Sequence, residues 1–301
     1  MNTPLERVTF RCGPHPQTLA LKLETQHVLR SFKGRGAFAF VSKVLSPREA
    51  IVTASAGNFG HALAYAAHAR QHPVTVFAST NANTRKLQLI RECGAAVIQH
   101  GNDFDAAKVA GKLWARARGL RFVEDGAEPT LMEGAATIAA ELHVQEPRLH
   151  TLFIPVGNGA LAAGIARWYK MQRPDVRIVV VVAAGAPCML ESLIAGKVVS
   201  TPVARTIADG VAVRIPVPYA LAALRSVVDD VRAVSDTQLL ETMRELYAQT
   251  KLAVEPSAAL GICAALTCAP ADGMSAAIVT GANLTPDQFA QWYGPDALPA
   301  A

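Results

Sequence analysis

Cysteine is scarce and shows no pairing pattern. Five occur in 301 residues, Cys12, Cys93, Cys188, Cys263 and Cys268, and none forms a Cys-x-x-Cys pair. An odd number at wide spacing excludes a disulfide scaffold and a cysteine zinc cluster, and it fits reduced thiols in a cytoplasm. Long apolar runs are also missing. Every apolar stretch is broken by glycine, proline or charge before it could span a bilayer, and Met1 to Arg7 lacks a signal-peptide core, so neither membrane contact nor export is expected. Runs of five or six basic residues are absent, aromatics make up only 6 %, and the net charge of +5 comes from scattered side chains. Nucleic acid is therefore excluded as a partner, and the charge is read as solubility with a mild attraction for small anions. There is no internal repeat and no low-complexity linker.

What is present is a chain that is 51 % hydrophobic, enough to bury a sizeable core. From Ala50 onward, short β-rich runs alternate with alanine-rich segments of helical period, the pattern of βα units around a mostly parallel sheet. Four strands are predicted at residues 50–53, 74–78, 96–98 and 121–123, and four more at 151–155, 177–182, 230–234 and 276–280. Helices should fill the gaps, among them 60–71, 83–93, 237–251 and 258–266. The run Ile178 to Val182 offers no polar face and reads as a buried interior strand. Two α/β lobes are expected, and ligands of such sheets bind outside the carboxyl ends of the strands.

The stretch Ser31-Phe32-Lys33-Gly34-Arg35-Gly36-Ala37 follows the apolar-rich segment Leu19 to Glu24. It places a lysine between an aromatic ring and a Gly-Arg-Gly bend that would let backbone approach a ligand. A lysine in a desolvated pocket loses its proton more readily and can form a Schiff base with an aldehyde such as pyridoxal phosphate; a solvated loop lysine is the plain alternative. Three further loops follow predicted strands. The first is Thr53-Ala54-Ser55-Ala56-Gly57-Asn58-Phe59-Gly60, a strand-to-helix turn whose free amides suit a carboxylate, or simply a helix capped by Ser55 or Asn58. The second, Pro155-Val156-Gly157-Asn158-Gly159-Ala160-Leu161, is a glycine turn whose amides could surround a phosphate, although it is neither the dinucleotide fingerprint nor the P-loop. The third is Thr280-Gly281-Ala282-Asn283, with Val254-Glu255-Pro256-Ser257 upstream. A hydroxyl such as that of Thr280 can hydrogen-bond a pyridine nitrogen without protonating it, which favours β-elimination.

Taken together these residues resemble the fold-type II pyridoxal-phosphate enzymes, and within them the serine/threonine dehydratases. The likeness runs over nearly the whole chain and is carried most specifically by Ser-Phe-Lys-Gly-Arg-Gly-Ala at 31–37 and by Thr206-Ile207-Ala208-Asp209-Gly210. It implies a two-lobed α/β fold, tryptophan synthase β-like, with mostly parallel sheets flanked by helices. Residues 1–37 with 126–301 would form a large cofactor-binding domain and 38–125 a small domain holding the substrate carboxylate. By this resemblance Lys33 would hold the cofactor and move the α-proton, Phe32 would lie near its ring, and Asn58 would bind the ring hydroxyl. Gly157, Asn158, Gly159 and Ala160 would bind its phosphate, and Thr280 its pyridine nitrogen. Ser55, Ala56, Gly57 and Asn58 would hold the substrate.

Departures from the family pattern refine the expectation. Related racemases carry a serine where this chain has Ala56, so elimination is favoured over racemisation. Members with an activating divalent cation place an acidic residue after the central strand, whereas this chain reads Val181-Val182-Ala183-Ala184-Gly185-Ala186-Pro187, so no metal is expected. Leu29-Arg30 stands where Thr-Gly is usual, and Phe59 where histidine is common. Arg30 is either solvated or meets a second anionic group on a substrate such as hydroxyaspartate. The expected activity is elimination of water from L-serine or L-threonine to a 2-oxo acid and ammonia. The alternatives are elimination or replacement on another β-substituted amino acid, and a catalytically silent homologue. A homodimer is expected, without the regulatory domain of the biosynthetic deaminases.

Overall fold

The computed structural model describes residues 2–11, 16–270 and 273–294; Cys12 lies outside them. In chain order the strands and helices are β1 (Leu5–Phe10), β2 (Gln17–Leu23), α1 (Lys33–Lys43), β3 (Ile51–Ala54), α2 (Asn58–His68), β4 (Val74–Ala78), α3 (Thr84–Glu92), β5 (Ala96–Gln99), α4 (Phe104–Ala117), β6 (Arg121–Val123) and α5 (Pro129–Gln145). Then come β7 (Leu149–Pro155), α6 (Ala160–Gln172), β8 (Arg177–Ala183), α7 (Cys188–Ala195), α8 (Pro218–Leu224), β9 (Asp230–Val234), α9 (Asp236–Thr250), α10 (Pro256–Cys268), β10 (Met274–Val279) and α11 (Pro286–Tyr293). These form two units, Met1–Phe32 with Ala136–Ala301 and Lys33–Ala135. The division falls at 32/33 and 135/136, compared with 37/38 and 125/126 in the sequence reading. The reason is that α1 belongs with its neighbours α2 and the first turns of α5.

The smaller unit contains a four-stranded sheet in the order β5-β4-β3-β6, all parallel. Each strand is short and runs into a helix, as the alternation of β-branched and alanine-rich segments requires. Val52, Ala54 and Phe77 pack with Ala115 of α4 beneath partly buried Trp114 and Phe122. The larger unit holds a six-stranded sheet, β1-β2-β10-β7-β8-β9, parallel except for the β1/β2 pair. In β8, Ile178 to Ala183 are all buried between β7 and β9, so the strand has no polar face to show. Helix α10, buried from Pro256 through Ala265, lies against this sheet; a helix apolar all round is a core helix.

Residues 19–23 of the apolar-rich segment belong to strand β2, which pairs in parallel with β10 from the other end of the chain, a long-range contact that local pattern cannot reveal. The strand holds Lys22 with no exposure, its ammonium bonded to the Thr3 carbonyl at 2.7 Å, Glu141 Oε2 at 2.7 Å and Gln145 Oε1 at 2.9 Å. The Gly-Arg-Gly stretch after Lys33 is no bend. It is the first turn of α1, and Gly36 brings that helix close to α5. A Cβ at Gly36 would stand 2.8 Å from the Leu131 carbonyl oxygen, and one at Gly134 would stand 2.5 Å from that of Arg35. Cys93, Cys188, Cys263 and Cys268 are free thiols, and no helix among the described residues is long and apolar enough to cross a membrane.

Candidate functional site

In the larger unit the sequence-predicted residues gather at the carboxyl ends of β7 and β10. The turn after β7 carries Gly157, Asn158 and Gly159, and Ala160 opens α6. Gly159 caps that helix with φ +97°, a conformation in which a side chain would be strained. The first-turn amides of α6 have no partner inside the helix and present positive partial charge, as an anion requires. Gly157 lies close enough to the turn at Asp209–Val211 that a Cβ there would be 2.9 Å from Val211 Cα. The Thr-Ile-Ala-Asp-Gly motif thus forms one wall of this loop.

Thr280 follows β10. Its carbonyl accepts from the Phe32 amide at 3.0 Å, Ser31 bridges to Gly281, and the Ala282 amide donates to the Arg30 carbonyl at 3.0 Å. The segment before the lysine is therefore stitched to the strand that ends in Thr280. Asn283 Nδ2 completes the seam with a bond to the Leu29 carbonyl at 2.9 Å. The Thr280 hydroxyl is buried and makes no hydrogen bond among the described residues. Arg30 itself is exposed and adopts φ +50°, a left-handed conformation that a glycine would take without strain.

In the smaller unit Lys33 is the first residue of α1, and its ammonium is held by Asp125 Oδ2 at 2.5 Å. Both side chains are largely buried, 16 % and 10 % exposed, so the pair is screened far less than a surface ion pair. The same nitrogen lies 5.7 Å from the centroid of the buried Phe59 ring. Phe59 directly follows the loop Ser55-Ala56-Gly57-Asn58, whose residues are all partly exposed. Ser55 Oγ accepts from the Gly57 amide at 3.3 Å and so shapes the loop rather than capping α2, which begins at Asn58 with Gly57 at its N-cap. A Cβ at Gly60 would be 2.3 Å from the Ser55 carbonyl oxygen, so that glycine is needed to bring the loop back over the helix. On α2 itself, burial lowers the pKa of His61 below its usual value despite the opposing charge of Glu92.

Asp125 was not singled out from the sequence. A lone carboxylate in a turn carries no motif, but its place just after β6 is the signal that a search of strand ends would have found. Ser257, in the Val254–Ser257 stretch, carries no role from the sequence alone.

Comparison with known proteins places this chain among catalytic relatives. The family model described as "Pyridoxal-phosphate dependent enzyme" matches residues 1–281. The L-threonine ammonia-lyase of Geobacter sulfurreducens is 35 % identical over 269 residues, covering 87 % of this chain and 66 % of that protein. The processed form of threonine deaminase isoform 2 from Solanum lycopersicum superposes with a TM-score of 0.88 at 27 % identity, over 97 % of this chain and 82 % of that one. Maize serine racemase superposes with a TM-score of 0.86 at 27 % identity, over 96 % and 90 %. The chain spans about half to two thirds of the length of the curated relatives it matches.

Proposed function

Because the chain belongs to the pyridoxal-phosphate dependent enzyme family, we propose that it is a dehydratase that eliminates water from L-serine or L-threonine to give a 2-oxo acid and ammonia. The observation that carries the reading is the Lys33 ammonium, held at 2.5 Å by a largely buried carboxylate and 5.7 Å from the ring that follows the 55–58 loop. An amine so placed has a fixed position and a neighbour that can receive its proton.

The residues present fit the cofactor. Thr280 offers a buried hydroxyl with no partner of its own, suited to a pyridine nitrogen, and the tight cradle of Gly157 and Gly159 at the start of α6 suits a phosphate. In this reading Lys33 would bond the cofactor, Phe32 would lie near its ring, Asn58 would bind its ring hydroxyl, and Gly157, Asn158, Gly159 and Ala160 would hold its phosphate. The cofactor, when bound, supplies the electron sink for the pair left behind by the α-proton. Residues 1–37 with 126–301 would carry most of the cofactor contacts, and 38–125 the substrate carboxylate.

Ser55, Ala56, Gly57 and Asn58 bind that carboxylate through loop amides and the N-terminus of α2. Lys33 Nζ takes the α-proton from one face of the substrate, while Asp125 Oδ2 keeps the amine oriented. Ala56 has no group that could return a proton to the opposite face, which favours elimination over racemisation. The β-hydroxyl departs with the proton that Lys33 Nζ took from the α-carbon, giving water, and the enamine left behind takes up water to give the 2-oxo acid and ammonia. Residues 184–187, directly after β8, include no acidic side chain for an activating cation, and no metal takes part in the reaction. A cytoplasmic homodimer is part of the same reading.

The test is 2-oxo acid release from L-serine and L-threonine by the cofactor-loaded protein with no metal added, alongside Lys33→Ala. Pyruvate or 2-oxobutyrate from the wild type, and none from the variant, is expected. Turnover retained in Lys33→Ala would end the assignment.

A further inference from the structure

Ser257 is the second residue of α10, after Pro256 at N1, and only 4 % of it is exposed. Its hydroxyl is fully buried and makes no hydrogen bond among the described residues. Serine early in a helix ordinarily caps the helix or bonds back to its own backbone, because a buried hydroxyl without a partner costs about 1–3 kcal/mol. A native chain that keeps such a group needs a reason for it.

The surroundings supply one. The hydroxyl lies on the side of Gly210 where a side chain would project: a Cβ at 210 would be 2.8 Å from Ser257 Oγ and 3.3 Å from Ser257 Cβ. Gly210 is solvent-facing and borders the loop after β7, since a Cβ at Gly157 would be 3.2 Å from the Gly210 carbonyl oxygen. Three segments far apart in sequence thus meet here: the glycine turn before α6, the Asp209–Val211 turn, and the N-terminus of α10. Both helices, of 13 residues each, direct the positive ends of their dipoles to this end of the sheet. The Glu255 carboxylate at the N-cap of α10 does not cap its helix and faces Gly281 instead, where a Cβ would meet its Oε1 at 2.6 Å.

We propose that Ser257 is a further cofactor-binding residue, whose hydroxyl donates a hydrogen bond to a phosphoryl oxygen. The inference rests on the reading above that the 157–160 loop holds the phosphate. Ser257 would then contribute little to the free protein and act only when the anion is bound, which is what an unpartnered hydroxyl beside an anion cradle implies.

The experiment compares wild type with Ser257→Ala and the near-isosteric Ser257→Cys, each as apoprotein. Denaturant unfolding is measured, together with binding of pyridoxal phosphate and of pyridoxal, which lacks the phosphate, by equilibrium dialysis. The expected result is unfolding midpoints equal to or above wild type, pyridoxal phosphate affinity weakened about tenfold, the scale of one hydrogen bond to a charged acceptor, and pyridoxal affinity unchanged. Unchanged affinity for pyridoxal phosphate, or an equal loss for both ligands, overturns the inference. So does a lower midpoint in Ser257→Cys, which would mark the hydroxyl as structural. A wild type that binds no pyridoxal phosphate overturns the function reading and this inference with it, whereas normal wild-type binding with unaltered variants overturns the inference alone.

Discussion

The contact between α1 and α5 offers a direct test of how packing sets the lysine. In Gly134→Ala the new Cβ would stand 2.5 Å from the Arg35 carbonyl oxygen and 2.6 Å from Gly36 Cα. Non-bonded carbon atoms prefer about 3.5–4.0 Å, so the helices must separate by roughly 1 Å. Overpacking of this kind costs about 1–3 kcal/mol, and alanine's better helix propensity returns about 1 kcal/mol, leaving a net destabilisation of up to about 2 kcal/mol. The functional effect should be larger. Lys33 begins α1, and a shift of about 1 Å in the helix moves its nitrogen relative to Asp125, a misplacement that can lower turnover about 100-fold. Urea unfolding of the apoprotein and 2-oxo acid release by the loaded enzyme read the two effects separately. An unchanged midpoint together with unchanged turnover would refute the claim that these glycines set the position of the lysine.

Four other outcomes are expected. Asp125→Asn leaves the Lys33 ammonium without its carboxylate, lowering apoprotein stability by about 1–3 kcal/mol and slowing cofactor capture at Lys33, which borohydride trapping measures. Lys22→Met removes the ammonium from Glu141 Oε2, which keeps the Thr3 amide, and from the Thr3 carbonyl, which keeps Gln145 Nε2, and should cost about 1–3 kcal/mol in denaturant titration without altering turnover per folded molecule. Arg30→Gly relieves a left-handed backbone and should raise stability by up to about 1 kcal/mol in thermal melts; a selective loss of activity on hydroxyaspartate would add a substrate role for Arg30. The lowered pKa of His61 means that the unfolded chain binds a proton at a higher pH than the folded one. Stability from this group is complete above the unfolded value of 6.5 and declines as pH falls below it, so melting scans should show an acid-side loss that His61→Gln removes.

Much of the fold was legible because its cues are local. The runs at 74–78, 121–123 and 230–234 are strands at the predicted bounds, since β-branched residues between turn signals leave few alternatives. The helix 237–251 was legible from its amphipathic period, and the structure adds the reason for its start, a capping box of Ser235 and Gln238. The loops at strand ends could likewise be found from the sequence, because a glycine turn between a strand and a helix is a pattern of neighbours. Strand β2 escaped because its partner lies at the other end of the chain.

By itself, then, the sequence determined the α/β class, the order of the elements, and which residue types stand at the strand ends: Lys33, the 55–58 loop, the glycine turn at 157–160, and Thr280. Only the tertiary structure decided what Gly36 is for, since its neighbour is a helix some hundred residues away. It also decided that Asp125 meets Lys33 and that the hydroxyls of Thr280 and Ser257 are left without partners. Each of these depends on which backbone comes within a few ångströms of which, and the distance between residues far apart in a chain is set by packing and not by local pattern.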